Sequence, residues 1–366
     1  MSLDFRFAIV SDLHVGLSHT IWNHPSRFHL IEVSIPALEK VFKHLEQLNL
    51  DFLLLPGDLT QHGEPENHRW LSDRLKSLPF PVYVVPGNHD VPSLLANDRT
   101  IGLKDFPHYY RDFGYENTQQ LYYTCELLPG VQLISLNSNQ FDVNGEQLGR
   151  LDDIQLMWLE EILARLDGKF VLVMVHHNVV EHLPGQSKNK LGQRYMLENA
   201  PTLLKILRKY GVRLIFTGHL HVQDVAEKDG IWEITTGSLV SYPHPYRVLE
   251  VETDNKEIKQ LKIESHRVEG VPGWDNLLLK SREWLGDRSS PFMVKLLSSP
   301  PLSLSSVDAQ KFAPDLRYFW ADVADGDAIF DFPHFPPLIR RYFEKFSALD
   351  KNGTPNLIDN RANIWL

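Results

Sequence analysis

The sequence contains only one cysteine, Cys125, so an internal disulfide framework and a metal site made of several thiolates are both excluded. Apolar runs are short, and none approaches the roughly 20 residues that a membrane-spanning helix needs. The first residues also lack the charged segment and long apolar segment of a secretory signal. We therefore expect a soluble, cytoplasmic protein with no membrane span.

Positive charge is also scarce, because 37 Lys and Arg residues stand against 47 Asp and Glu residues, for a formal net charge of -10. A general binder of nucleic acid needs clustered positive charge to contact the phosphates, so we expect no nucleic-acid polymer as a partner. A small phosphate ester stays open as a substrate, because bound divalent ions can reverse the sign of a site.

The 366 residues suit one large domain with an appendage. Over residues 1–270, short apolar runs alternate with amphipathic stretches, which predicts a layered α/β domain of two stacked sheets with helices outside. The main predicted strands are Phe7–Ser11, Phe52–Pro56, Val82–Pro86, Leu121–Leu127, Val131–Leu136, Phe170–Val175, Arg213–Thr217 and Tyr246–Val251.

Residues 271–366 differ in character and carry no repeat and no chemical motif. Helices are predicted at Trp274–Leu285 and Leu338–Leu349, with Pro- and Ser-rich sequence between them. We expect a mainly helical, proline-containing extension that packs on the catalytic domain or on a second subunit, the latter arrangement giving a homo-oligomer.

Five short motifs follow apolar runs, at the points where predicted strands end. In chain order they are Asp12-Leu13-His14, Gly57-Asp58, Gly87-Asn88-His89-Asp90, His176-His177 and Gly218-His219-Leu220-His221. Because ligands of α/β sheets bind beyond the carboxyl ends of the strands, we expect these side chains to meet. Side chains two residues apart in an extended segment point to the same side, so each Asp-x-His or His-x-His pair can act together. The adjacent glycines allow tight turns and close backbone approach.

Carboxylate, imidazole and amide oxygen groups are typical ligands of transition metals. We expect two divalent or trivalent ions per chain, and Mn, Fe, Zn and Co are all compatible with this set. A carboxylate such as Asp58 can bridge two ions, which at about 3.5–4 Å apart would activate a bridging hydroxide and clamp a phosphoryl group. Each motif alone is equally well explained by a turn or a helix cap, so the prediction depends on their joint occurrence.

The motif set resembles that of the calcineurin-like metallophosphoesterase superfamily, whose pattern is Asp-x-His, Gly-Asp, Gly-Asn-His, His and Gly-His-x-His. The resemblance runs from about Phe7 to Val251 and is greatest to the class III cyclic-nucleotide phosphodiesterases. Further similar features are Gly63-Glu64, Gly149, Gln155-Leu156-x-Trp158-Leu159, Gly237-Ser238 and Tyr242-Pro243.

The resemblance implies a four-layer α/β/β/α sandwich. It also implies two metal sites bridged by Asp58, the first made by Asp12, His14 and His221 and the second by Asn88, His176 and His219. His89 would be the outer-sphere acid that protonates the leaving oxygen or binds the phosphate, and Asp90 would orient its imidazole.

The expected activity is hydrolysis of a small phosphodiester by attack of the metal-bridging hydroxide, and the resemblance points to 3',5'-cyclic nucleotides as substrates. A phosphomonoesterase, or a hydrolase of nucleotide or lipid pyrophosphates, would use the same centre, so the motifs leave these alternatives open. A third alternative is a catalytically idle metal-binding scaffold. Such proteins usually lose ligands, whereas this sequence keeps every expected one.

One departure from the family pattern is Asn178, which follows the paired histidines where relatives often carry proline. His177 is expected to support a neighbouring ligand rather than to bind an ion. Candidates for the rim of the site are His19, His24, His29, His62 and His244, with Trp22, Tyr195 and Tyr242 for stacking on a base. A solvated loop is the commoner fate of such histidines, and packing explains the aromatic residues equally well.

Overall fold

The computed structural model describes residues 4–22, 27–166, 168–254 and 257–366. The α-helices are α1 (Ser34–Leu45), α2 (Pro65–Leu75), α3 (Phe106–Tyr109), α4 (Asp153–Leu163), α5 (Lys190–Gln193), α6 (Ala200–Lys209), α7 (Leu277–Ser298), α8 (Ser306–Phe312), α9 (Phe319–Asp325) and α10 (Pro337–Glu344). The strands are β1 (Phe5–Ile9), β2 (Phe52–Leu55), β3 (Val82–Val84), β4 (Tyr123–Leu128), β5 (Val131–Ser135), β6 (Asn139–Phe141), β7 (Gln147–Gly149), β8 (Phe170–Met174), β9 (Leu214–Thr217), β10 (Asp224–Lys228), β11 (Ile231–Thr235), β12 (Pro245–Asp254), β13 (Glu257–Arg267) and β14 (Arg361–Trp365).

The described strands form two six-stranded sheets, and β6 pairs with β7 in a small ribbon. The first sheet has the order β14–β13–β12–β1–β2–β3, and the second has the order β10–β11–β9–β8–β5–β4. Parallel pairing joins β1, β2 and β3 in the first sheet and β8 and β9 in the second. The carboxyl ends of these parallel strands therefore lie at one edge of each sheet, where ligands of such folds bind.

The two sheets are stacked face to face around the main apolar core. Phe7 of β1 packs edge-on against Phe216 of β9, with ring centroids 5.5 Å apart. Helices α1 and α2 pack on the first sheet, and helices α4 and α6 pack on the second. The predicted four-layer α/β/β/α sandwich is confirmed.

Local sequence explains the two kinds of element. All four residues of β2 are buried, as expected for a parallel strand that is covered on both faces. In α6, Leu203, Leu204 and Leu207 are buried at helical spacing, while Lys205 and Arg208 are exposed.

The outer half of the first sheet is larger than the sequence predicts. Strand β13 was not predicted, although its buried Leu261 and Ile263 alternate with charged residues and it pairs antiparallel with β12. Strand β14, from the last residues of the chain, pairs in turn with β13. The C-terminal extension therefore has the expected helices but also contributes an edge strand to the first sheet.

Helix α7 is longer than the predicted Trp274–Leu285 and continues through Pro291 to Ser298. A proline inside a helix costs about 3 kcal/mol. Beyond it, Met293 and Leu297 are fully buried, and apolar burial of this kind stabilises by roughly 1.5–3 kcal/mol per side chain, which offsets the cost. Among the described residues, no helix has both the length and the apolar character of a membrane span.

Candidate metal centre

Loops at the carboxyl ends of five strands bring the predicted ligands to one place. From the first sheet, Asp12 and His14 follow β1, Asp58 follows β2 and Asn88 follows β3; from the second, His176 follows β8 and His219 and His221 follow β9. We call these five segments the ligand loops. The structure thus places the seven side chains where the two sheets meet.

The first ligand group consists of Asp12, His14, Asp58 and His221, whose ligand atoms all lie within 4.8 Å of one another. The Nε2 atom of His221 is 3.0 Å from Asp12 Oδ1, and the Nε2 atom of His14 is 3.8 Å from Asp58 Oδ2. Asp12, His14 and Asp58 are buried, so the group is largely shielded from water.

The second ligand group consists of Asp58, His176 and His219, again with ligand atoms within 4.8 Å of one another. The Nε2 atom of His176 lies 3.5 Å from Asp58 Oδ2 and 3.1 Å from Asn88 Oδ1. Because Asp58 belongs to both groups, its carboxylate occupies the position that a bridging ligand requires.

The nitrogen and oxygen atoms of the first group are positioned to bind a metal ion. The Nε2 atoms of His14 and His221 lie 3.5 Å apart, and among the described residues His14 Nδ1 is buried with no hydrogen-bond partner. Burial, reinforced by His29 and His89, holds the pKa of His14 well below its usual value, so this imidazole is neutral and can offer a lone pair. Neutral imidazoles and carboxylates are the protonation states that bind metal. The residues present therefore fit two ions.

The backbone of five of these residues is left-handed. The φ angles are 51° at Asp12, 41° at His14, 49° at Asp58, 67° at His219 and 60° at His221. We expected the paired ligands to converge because they lie in extended segments. They do converge, but the reason was wrong, since tight left-handed turns bring them together. Such conformations cost of order 1–3 kcal/mol per residue and cluster at binding and catalytic sites.

Two glycines permit the close packing of the ligand loops. A Cβ atom at Gly87 would lie 2.2 Å from both the backbone nitrogen and Oδ1 of Asp58. A Cβ atom at Gly218 would lie 2.0 Å from Ser11 Oγ and 2.4 Å from Asp12 Oδ2. Neither position can hold a larger residue without displacing a predicted ligand, which confirms the reason given for these glycines.

While no ion is bound, Asp58 and His176 stabilise each other in their charged forms, and an ion at the His176 nitrogen would take the place of its proton. Burial alone would raise the pKa of Asp58, but the charge of His176, with His89, outweighs it and lowers this pKa well below its usual value. Burial likewise lowers the pKa of His176, yet the charge of Asp58 and the hydrogen bond to it raise this pKa to about 9. Because His176 Nδ1 lies 2.8 Å from the Pro56 carbonyl oxygen, its Nε2 atom is the one that faces the centre.

His89 adjoins the centre and lines the cleft above it. Its backbone N–H donates to Asp58 Oδ1 over 2.8 Å, and its Nδ1 atom lies 2.9 Å from the Gln61 carbonyl oxygen. Because a carbonyl oxygen only accepts, Nδ1 carries a hydrogen and Nε2 is the nitrogen left for a substrate. This position suits the predicted acid.

Asp90 does not occupy the predicted position beside the imidazole of His89. Its carboxylate instead accepts hydrogen bonds of 2.8–3.1 Å from the backbone N–H groups of Leu59, Thr60 and Gly87. Burial, reinforced by the charge of Asp58, raises the pKa of Asp90 to about 7. Asp90 therefore connects the loops after β2 and β3, which corrects the predicted orienting role.

His177 and Asn178 lie behind the second ligand group. The Nδ1 atom of His177 is 2.7 Å from Ser138 Oγ, and its ring centroid is 4.3 Å from that of His219, which fits the predicted supporting role. The Nδ2 atom of Asn178 is 3.1 Å from Thr217 Oγ1 and 3.3 Å from the Gly218 carbonyl oxygen. In the position where relatives often carry proline, Asn178 thus ties the loop after β8 to the loop after β9.

His29 was predicted only as a candidate for the rim, yet it lies beside His14 and His221 of the first ligand group. One nitrogen each from His14, His29 and His221 fall within 4.8 Å of one another. The segment before α1 is held there by the backbone bond from Leu30 N–H to the Val240 carbonyl oxygen, 2.8 Å long. No spacing in the sequence indicates this tertiary contact.

The other rim histidines lie away from the ligand atoms. His19 is exposed and forms an ion pair of 2.5 Å with Glu66, while His244 is buried and bonded to a backbone carbonyl. His62 is partly buried and does not belong to the lining of the cleft. His24 lies outside the described residues.

A cleft of about 640 Å³ opens over the centre. Its walls carry apolar and aromatic side chains, which are Phe28, Leu148, Tyr195, Met196, Leu220, Tyr242, Leu285, Phe292 and Trp320. Among the described residues that line the cleft, Arg194 is the only one with a permanently positive side chain. Its guanidinium carbon lies 4.5 Å from the centre of the Tyr195 ring. The cleft therefore combines a polar floor with largely apolar walls.

The C-terminal extension forms one of these walls. Leu285 and Phe292 of α7 and Trp320 of α9 line the cleft, and the rings of Phe292 and Trp320 lie 5.6 Å apart. Leu220, between the two ligands of its loop, is buried in the same apolar core as α7, α8, α9 and α10. The extension thus packs on the catalytic domain, one of the two predicted placements, and also shapes the site.

Comparison with known proteins agrees with this geometry. The family model described as calcineurin-like phosphoesterase matches residues 5–223. The chain is 29% identical over 192 residues to a probable glycerophosphodiester phosphodiesterase of Arcobacter nitrofigilis, covering 50% of this chain and 62% of that protein. It is 31% identical over 223 residues to a 3',5'-cyclic-nucleotide phosphodiesterase of Nostoc sp., covering 60% of this chain and 72% of that protein.

Solved structures agree at the level of the fold. A dimetal phosphatase from Danio rerio superposes with a TM-score of 0.52 at 16% identity, covering 72% of this chain and 96% of that chain. A purple acid phosphatase from yellow lupin superposes with a TM-score of 0.50 at 14% identity, covering 73% of this chain and 52% of that chain. Since the family model spans more than half of the sequence and all seven predicted ligands, the chain belongs to the calcineurin-like phosphoesterase family.

Proposed function

We propose that the protein hydrolyses phosphodiesters, and that 3',5'-cyclic nucleotides are the first substrates to test. The observation that carries this proposal is the pair of ligand groups that share Asp58 beneath a cleft with apolar walls. Relatives named as phosphodiesterases of glycerophosphodiesters and of cyclic nucleotides support the same reaction class.

The charges and walls of the cleft favour a diester over a monoester. A phosphodiester carries one negative charge and two organic groups, whereas a phosphomonoester carries up to two charges and one organic group. Among the described residues that line the cleft, Arg194 supplies the single permanent cation, and Glu198 adds a carboxylate. Apolar and aromatic side chains alternate there with polar ones such as Gln193. Apolar walls with a few placed polar groups are typical of sites that bind organic ligands.

The seven predicted ligands would hold two ions, and their mixture of nitrogen and oxygen atoms suits Mn, Fe, Zn or Co. Bound there, the ions would supply a nucleophilic hydroxide at neutral pH and stabilise negative charge on the phosphoryl oxygens. Asp58, buried and ionised, would keep both positions negative enough to retain cations.

Residues of the chain would act around this centre. His89 would donate a proton from Nε2 to the leaving oxygen, because its Nδ1 atom is already engaged with the Gln61 carbonyl oxygen. Asp90 would position the loops that carry Asp58 and His89 through its bonds to backbone N–H groups. Trp320 and the neighbouring wall would contact an organic group of the substrate.

The test is hydrolysis of matched aryl phosphomonoester and phosphodiester substrates by metal-stripped protein that is reloaded with Mn. The metal bound per chain is counted in the same samples. We expect two ions per chain and a strong preference for the diester, with cyclic nucleotides then compared under the same conditions.

The alternatives give different results in the same experiment. If the protein binds two ions per chain but prefers the monoester, the substrates are phosphomonoesters or pyrophosphates instead of diesters. The metal-centre assignment would then still stand. Full metal occupancy without hydrolysis of any of these esters would contradict an enzymatic role and favour a metal-binding scaffold.

A further inference from the structure

The first ligand group has an additional imidazole that the family motifs do not include. His29 comes from the segment between β1 and α1, and its ring centroid lies 4.3 Å from that of His14 and 4.7 Å from that of His221. One nitrogen from each of the three rings lies within 4.8 Å of the others. These three imidazoles form a group of their own, which shares His14 and His221 with the first ligand group.

The arrangement of the three rings brings their nitrogen atoms close together. The rings of His29 and His14 are tilted by 50°, and those of His29 and His221 by 53°, so the three rings do not stack. His14 is fully buried, and its Nε2 atom lies 3.5 Å from Nε2 of His221. An ion between these rings would bind the imidazole nitrogens that face one another.

The backbone keeps His29 in this position. Leu30, the next residue, is buried and donates its N–H to the Val240 carbonyl oxygen over 2.8 Å. His29 also lines the cleft, so its ring is accessible from the side where a substrate would bind. The segment therefore delivers an imidazole to the first ion position at the edge of the substrate site.

We propose that His29 is a further protein ligand of the first ion, in addition to Asp12, His14, Asp58 and His221. The inference rests on the two-ion centre of the proposed function but not on its substrate class. The first position then has three imidazoles and two carboxylates, whereas the second has two imidazoles, one amide oxygen and the shared carboxylate.

This difference in ligands makes the two positions selective for different metals. Imidazole suits Zn and Fe, whereas carboxylate and carbonyl oxygens suit Mn and Mg. We expect the first position to bind Zn more tightly than the second does. Loss of His29 should reduce the difference in Zn affinity between the two positions.

The test uses the metal-stripped full chain with the variants His29→Ala and His29→Gln. Zn binding is titrated in competition with a chromophoric chelator, and the visible spectrum of Co-loaded protein reports the coordination of the ion. We expect the tighter of two Zn dissociation constants to rise on the order of 10–100-fold, a range seen even when a group that only supports a ligand is removed. The Co spectrum should also change.

His19→Ala is the matched control, because His19 belongs to the same segment but is exposed and pairs with Glu66. It should leave both dissociation constants and the Co spectrum unchanged. Far-ultraviolet circular dichroism of the metal-free variants checks that they are folded, and the smaller change to Gln serves if the Ala variant is not.

Unchanged Zn affinities and an unchanged Co spectrum in a folded His29 variant would overturn the proposal. If hydrolysis falls in that variant while metal binding is unaffected, His29 contacts the substrate instead, which also overturns it. A wild-type protein that binds two ions but cleaves no diester would refute the proposed substrate and leave the ligand assignment standing.

Discussion

The ligand loops and the C-terminal extension face the same cleft, yet they are built by different means. The loops are short, left-handed at five residues and packed around buried charges such as Asp58. The extension contributes an apolar core, centred on residues such as Phe319 and Phe343, and places Trp320 at the cleft. Within one site, strained polar loops bring the predicted ligands together and a largely apolar helical wall shapes the cleft.

This difference separates two properties of the proposed enzyme. Changes in the loops should affect turnover and metal content, because they touch the reacting centre. Changes in the wall should affect the apparent affinity for substrate and leave the metal in place. Asp58→Ala, His89→Ala and Trp320→Ala test this separation, and His182→Gln tests the stability of the region behind the ligand loops.

Asp58→Ala should cause the largest loss. Because Asp58 belongs to both ligand groups, we expect turnover to fall by about 10³-fold or more, beyond the effect of removing one transition-state hydrogen bond. Steady-state kinetics and metal analysis on the same sample measure it. Asp73→Ala, which removes an exposed carboxylate of α2, should have no effect, and normal metal content and turnover in Asp58→Ala would refute the bridging role.

His89→Ala should lower turnover by roughly 10²–10⁴-fold with a leaving group that needs protonation, the range of general acid catalysis. An aryl leaving group, which departs without a proton, should lose much less. The measurement is the turnover of alkyl and aryl diesters by the wild-type protein and by His89→Ala. An equal loss on both esters would show that His89 does not act as the acid.

His182→Gln tests the buried charges behind the ligand loops. The imidazole of His182 is 2.6 Å from Asp224 Oδ2 and 3.0 Å from Glu233 Oε1, and Glu233 also accepts the backbone N–H groups of Val179 and Val180. Removal of one partner of such a buried pair should lower the free energy of unfolding by about 3 kcal/mol. Urea unfolding of the metal-free proteins measures this loss.

The same pair predicts the pH dependence of that loss. Burial lowers the pKa of His182, but the charge of Glu233 and the hydrogen bonds to Asp224 and Glu233 outweigh it and raise this pKa to about 10. A raised folded pKa stabilises the protein fully below the unfolded value of about 6.5, and the stabilisation disappears as pH rises through the folded value. The difference between wild type and variant should therefore narrow from pH 6.5 to pH 10. A constant difference would exclude a charged His182.

Trp320→Ala should have the smallest effect of the four variants, and the effect should be on KM alone. Loss of one aromatic contact of about 1.4 kcal/mol would raise KM about tenfold for an aryl or nucleoside diester, with kcat and metal content unchanged. Dimethyl phosphate, which lacks a large organic group, should bind both proteins alike. Trp365→Ala, at an exposed position of β14, is the control. A fall in the metal content of Trp320→Ala would show that the wall also supports metal binding, against the expected division between loops and wall.

The convergence of the predicted ligands could be predicted because each motif adjoins the strand that positions it. Asp12, Asp58 and His176 follow continuous apolar runs, so the strand ends can be located without knowledge of the tertiary structure. The direction of a side chain in a tight turn cannot be obtained in this way. For that reason the role of Asp90, whose carboxylate turns away from His89 toward backbone N–H groups, was predicted wrongly.

Long-range packing accounts for what the sequence did not reveal. His29 reaches the centre because a distant carbonyl, that of Val240, holds its segment. Strand β13 alternates charged and apolar residues without a distinctive motif, and β14 pairs with it only after all the helices of the C-terminal extension have intervened in the sequence. The wall formed by α7 and α9 likewise depends on docking against Leu220, which no local pattern encodes.

We expect one carboxylate, that of Asp58, to couple two ions in a single centre. The decisive measurement is electron paramagnetic resonance of the Mn-loaded full chain at low temperature, with the metal counted in the same sample. Two Mn ions per chain should give an exchange-coupled spectrum that is lost in Asp58→Ala. One ion per chain, or two ions with the spectrum of isolated Mn, would refute a bridging Asp58.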